Sequence, residues 1–163
     1  MRDYQKYASV VAVFAAVLYA ALIVAAFGMI SLATNLDVIS EPDAGPLVGP
    51  SMAAASIVLV FALMLTLGLR DRPNRQRVAV GYSLGTGAAA FAVFIVVGAI
   101  LYPLTSGQAF DALTFAETTL ARPFAAVTGL LAFVVTLLYS VILASRVGEH
   151  GRPLWPWERH EEP

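Results

Sequence analysis

Apolar residues run in four long blocks along this chain: Ala8–Thr34, Pro50–Leu69, Val78–Leu104 and Pro123–Ser145. None of the blocks contains Asp, Glu, Lys, Arg or His. Each reaches the roughly 20 apolar residues needed to cross a hydrocarbon core of about 30 Å. Strict alternation of apolar and polar positions is absent, so the spanning form is a helix, whose backbone polar groups are satisfied within the segment. The pattern predicts an all-α, polytopic membrane protein: four transmembrane helices in an antiparallel bundle, forming one domain over residues 1–163, with 146–163 as a tail.

Between the third and fourth blocks lies "TSGQAFDALTFAETTLAR". Phe110, Leu113 and Leu120 recur there at helical spacing, near Phe115 and Ala116, while Asp111, Thr114, Glu117 and Thr118 share the opposite side. This predicts a short amphipathic helix near 107–120, lying on the outer membrane surface with Ser106 as its N-cap. The first block follows "MRDYQKY" and superficially mimics a secretory signal. Its apolar run far exceeds the 7–15 residues or so of a signal core, so it reads as an uncleaved anchor.

Charge sets the orientation. Of the 10 Lys and Arg residues, Arg2 and Lys6 precede the first block, Arg70, Arg72, Arg75 and Arg77 fill "RDRPNRQR", and Arg146, Arg152 and Arg159 follow the last. With four spans all of these fall on one side, and only Arg122 falls on the other. The positive-inside rule then places both termini and the middle loop in the cytoplasm. "RDRPNRQR" reads as a topology determinant, with anionic lipid headgroups as an alternative ligand. Hydrophobic residues make up 59% of the chain and charged ones 13%, with a net charge of −1. That leaves no cationic face for nucleic acid. There is no cysteine, which excludes disulfides, thiol chemistry and Cys-ligated metals.

Candidate chemistry is sparse. Spans without ionisable groups lack the intramembrane carboxylate or base of proton- and ion-coupled transport. Both histidines, His150 and His160, lie in the tail, so the spans cannot ligate haem by paired His. No nucleophile–base pair and no phosphate loop are visible. The acids Asp37, Glu41, Asp43, Asp111 and Glu117 all fall on the outer side and form the one candidate cation site, although "DVISEPDAGPLVGP" also reads as a turn followed by a helix start at either Pro46 or Pro50. Small residues mark expected helix contacts: Ala12, Ala16 and Ala20 with Ala8 on the first span, Gly81 and Gly85 on the third, Gly129 and Ala132 on the fourth. A pore lined by Tyr82, Thr86, Thr128, Thr136 and Tyr139 is the alternative use of that interior. Trp155 and Trp157, flanked by prolines in the tail, suit an interfacial anchor or a partner's groove.

The run "FGMISL…DVISEPDAGPLVGPSMAAA", with "RDRPNRQR" and "RPLWPWE", resembles a family of small four-span membrane proteins of unknown function from high-GC Gram-positive (actinobacterial) bacteria. The resemblance implies the fold and no catalytic residues. The expectation is a non-catalytic plasma-membrane protein without cofactors, an accessory or assembly subunit of the envelope. Its partners are the lipid bilayer and, through the tail or the small-residue faces, another protein. A small transporter or channel for an uncharged or lipid-like molecule is the alternative.

Overall fold

The computed structural model describes residues 2–39, 45–70, 78–106 and 111–145. They form five helices: α1 (Arg2–Thr34), α2 (Val48–Arg70), α3 (Val80–Ser106), α4 (Asp111–Ala121) and α5 (Pro123–Ser145). No strand occurs among the described residues. Four of the helices are long and apolar enough to cross a membrane; α4, at 11 residues, is too short.

Helix ends follow local chemistry. α1 stops where Asn35 takes φ 53°, a left-handed conformation that Asn tolerates and that closes a helix. Gly45, at φ 57°, opens the turn into α2. That helix begins at Val48, between the two expected starts. Pro50 falls in its first turn, where a missing N–H costs nothing. Ser51 N donates to Leu47 O at 3.0 Å, so Leu47 stands just before the helix. α3 carries Pro103 in its last turn and runs on to Ser106, two residues past the expected end. Ser106 therefore closes α3 and is not the N-cap of α4, which starts at Asp111.

The long helices close a ring in the order α1, α2, α3, α5, with α2 and α5 also meeting across the diagonal. Neighbours run antiparallel. Two apolar clusters stack along the bundle. One, built on Ala8, Ala12, Tyr19, Val60, Met64, Ala132 and Tyr139, fills the middle and the end where α2 passes to α3. The other, built on Met52, Phe94, Tyr102, Phe115 and Phe124, fills the end that carries α4.

The helices are joined by hydroxyls that donate to backbone carbonyls of their neighbours. Tyr19 Oη donates to Thr128 O at 3.1 Å, and Tyr139 Oη donates to Ala8 O at 3.2 Å. α1 thus reaches α5 with one tyrosine and α5 reaches α1 with another, a reciprocal pair in one antiparallel register. On the α2–α3 seam, Ser56 Oγ donates to Ala90 O at 3.3 Å and Tyr82 Oη to Leu63 O at 2.7 Å. A helix carbonyl already accepts one bond and has a second lone pair to offer, so these ties leave the helical ladder intact. Such interhelical bonds replace the hydrophobic drive that lipid cannot supply.

Candidate functional site at the α4 end of the bundle

α4 is attached by one side. Phe115 and Thr119 are buried, with Ala112, Ala116 and Thr118 half-buried beside them, which is the i, i+3, i+4, i+7 pattern of a packed face. Phe115 is the plug. Its ring stacks on Tyr102 at 5.0 Å and lies among Met52, Phe94 and Phe124. Phe27 of α1 meets Phe94 and Phe124 edge-on at 5.8 and 5.2 Å, which extends the aromatic packing to α1 and α5. Space for Phe115 comes from Gly98: a Cβ there would stand 2.5 Å from Phe115 Cε1 and 2.7 Å from Met52 Cε. The chain leaves α4 at Arg122, whose guanidinium donates to the backbone carbonyl of Asp37 and ties the α1–α2 connection to the start of α5.

The helix forms near the expected 107–120, at Asp111–Ala121. Leu113 and Leu120 do not pack on the bundle; they are 82% and 54% exposed. The buried side chains are Phe115 and Thr119, because the helix folds back against α3 rather than resting on the bundle by its most apolar edge.

The expected cation site is only partly open to description. Glu41 and Asp43 lie outside the described residues, as does the side chain of Asp111. Asp37 and Glu117 are both exposed, and among the described residues no three His, Cys, Asp or Glu side chains come together. At Asp37 the backbone carbonyl is the engaged atom, and its partner is the cation Arg122. Trp155 and Trp157 also lie outside the described residues.

The side chains of the alternative pore lining are packed away from solvent or turned to other uses. Thr86, Thr128, Thr136 and Tyr139 are buried. Thr86 Oγ1 donates to Tyr82 O at 3.0 Å and Thr128 Oγ1 to Phe124 O at 2.9 Å, each bonding its own helix. Tyr82 and Tyr139 reach across to neighbouring helices, as described above. Thr136 Oγ1 is buried with no hydrogen-bond partner.

The small residues divide sharply. Ala8, Ala12, Gly129 and Ala132 are buried, Ala16 and Ala20 half-buried. Gly81 and Gly85 face outward, and a Cβ at either would meet nothing within 4 Å. The close approach of α3 falls instead on Gly87, which the spacing of "GYSLGTG" places with Ser83 on a second small-residue face. A Cβ on Gly87 would lie 2.8 Å from Gly129 O and 3.0 Å from Phe133 Cβ; one on Gly129 would lie 2.9 Å from Gly87 O and 3.0 Å from Phe91 Cβ. The contact is a local two-fold, and the sequence carries its signature. Thr86-Gly87, Ala90-Phe91 and Val93 recur at the same spacing as Thr128-Gly129, Ala132-Phe133 and Val135. Aligning α3 with α5 reveals it. Gly98, a lone glycine in an apolar run, gave no such signal.

A family model described as "Family of unknown function (DUF6121)" matches residues 1–163. The chain belongs to that family. The match spans all five helices and the connections between them, in keeping with the whole-chain resemblance noted above, and it carries no assigned activity. No curated protein and no solved structure matches this DUF6121 chain.

Proposed function

We propose that this DUF6121 protein is a non-catalytic accessory or assembly subunit of a bacterial plasma membrane, with both termini in the cytoplasm and α4 on the outer side. The observation that carries the reading is the use of its interior hydroxyls. Tyr19, Ser56, Tyr82 and Tyr139 each bond a neighbouring helix, and Thr86 and Thr128 bond their own. Polar groups committed to helix attachment suit a rigid scaffold and are poorly placed to solvate a moving substrate. The orientation rests on the charge bias of the connections.

Affinity capture of the full chain in mild detergent tests the role. A recurrent partner, lost when the Pro–Trp tail is removed, is expected; repeated capture that returns nothing with the tail intact would count decisively against it. The rival reading, a carrier for an uncharged or lipid-like molecule, predicts flux through purified protein in liposomes. For orientation, single cysteines placed near Lys6 and near Glu117 of this cysteine-free chain should react with an impermeant thiol reagent only from opposite sides.

A further inference from the structure

Tyr139 fixes how α1 is turned at the end where α2 passes to α3. Its hydroxyl donates to Ala8 O and Ala8 is buried, so Lys6 and Val10, two positions to either side, face outward. An open groove of about 480 Å³ lies there, and the described residues that line it are Gln5, Lys6, Ser9 and Val10. Ser9 Oγ donates to Gln5 O at 2.9 Å, so its proton is engaged within the helix. The Lys6 ammonium brings the positive charge and three donors, and the Gln5 carboxamide brings two more. No carboxylate is among the described lining residues.

Below Lys6 the surface of α1 is apolar in a single column. Val10, Val13, Val17 and Val24 follow it by 4, 7, 11 and 18 residues, close to whole turns of a helix, and all four are exposed. From Lys6 to Val17 the column is about 16 Å long, which matches the hydrocarbon of one leaflet, about 15 Å. Valine is stiff at χ1, so this ridge loses little side-chain freedom when a chain lies along it.

We infer that the Lys6 groove is a binding site for one anionic phospholipid. Its phosphate is held by the Lys6 ammonium and the Gln5 carboxamide, and an acyl chain lies along Val10, Val13 and Val17. The occupant is a lipid because charge and column are joined: a free anion leaves the column bare, and a neutral lipid leaves the cation unmatched. The site is separate from "RDRPNRQR", which links α2 to α3. The inference rests on the bundle's being membrane-embedded and is independent of the accessory role and of sidedness.

Native mass spectrometry of the full chain in mild detergent, with phosphatidylglycerol and phosphatidylcholine of matched chains, tests it. The first lipid bound should favour phosphatidylglycerol by about fivefold, the contribution of one cation at a lipid surface. K6R should keep that preference and K6Q should reduce it to parity, whereas R72Q and R75Q should leave it in place. Glycerol phosphate, a head without chains, should not displace the lipid at equal concentration. One equivalent of chain-brominated phosphatidylglycerol should quench a fluorophore at F14C, beside the column, and spare one at V58C, exposed on α2. No preference in the parent, a preference that survives K6Q, displacement by glycerol phosphate, or equal quenching at 14 and 58 would each overturn the site.

Discussion

Phe27, Phe94, Phe115 and Phe124 fill the α4 end of the bundle with rings, whereas the rest of the bundle is joined by glycine contacts and tyrosine hydroxyls. The first kind of join depends on volume. An aromatic plug inserted from a separate helix fills space that four spans alone would leave open, and Gly98 is the notch cut for it. The second kind depends on distance. At Gly87 and Gly129 two backbones touch on the α3–α5 seam, and the hydroxyl ties span the α1–α5 and α2–α3 seams. Lipid gives apolar side chains no reason to leave it for a bundle, so each half needs a specific device. One half uses shape and the other uses approach.

Substitutions can break this contrast, and they should do so unequally. Phe115→Ala, which empties the plug, should have the largest effect, a loss of about 3–5 kcal/mol by the scale of buried aromatic truncations. Unfolding in mixed micelles measures it. The loss should be partly recovered by Gly98→Leu, which refills the notch from the other side. Gly87→Ala or Gly129→Ala presses a methyl against a backbone carbonyl that cannot rotate away, and should cost about 1–3 kcal/mol. The double variant should cost less than the sum, since both strain one contact.

Smaller effects sharpen the comparison. Tyr19→Phe and Tyr139→Phe each remove one hydroxyl tie and should cost about 0.6 kcal/mol, the usual size of interhelical hydrogen bonds in membranes. Gly81→Ala and Gly85→Ala, on the open face of α3, should stay within about 0.5 kcal/mol of the parent. Thr136→Val should be neutral or stabilising by up to about 1 kcal/mol, because it removes a buried hydroxyl that has no partner. The same change at Thr128, whose hydroxyl is bonded to its own helix, should bring no gain.

The spans were legible because a bilayer imposes length and apolarity directly on sequence. α4 was legible as a helix for a related reason, since its periodicity survives in eleven residues. Which of its side chains the bundle takes was not. Leu113 outweighs Thr119 on any hydropathy scale, yet Thr119 is buried, because the position of Phe115 against Gly98 and Tyr102 decides which side turns inward. Those partners lie in another helix, and local pattern holds no record of them. Small residues behaved similarly. Gly81 and Gly85 have the same spacing as any packing pair, but only the third dimension tells lipid from helix, and it selected Gly87. The acids of the first connection were equally opaque: at Asp37 the atom that matters is a carbonyl oxygen, which every residue has.

The reciprocal tyrosines have a consequence for biosynthesis. Tyr19 emerges with the first helix, but its acceptor at Thr128 and its counterpart Tyr139 belong to α5, synthesised more than a hundred residues later. We therefore expect the α1–α5 seam to act as a completion signal: chains ending before Pro123 leave Tyr19 unpaired in the bilayer, and pulse-chase labelling should find them degraded faster than the full chain. Equal lifetimes would show that quality control does not read that seam.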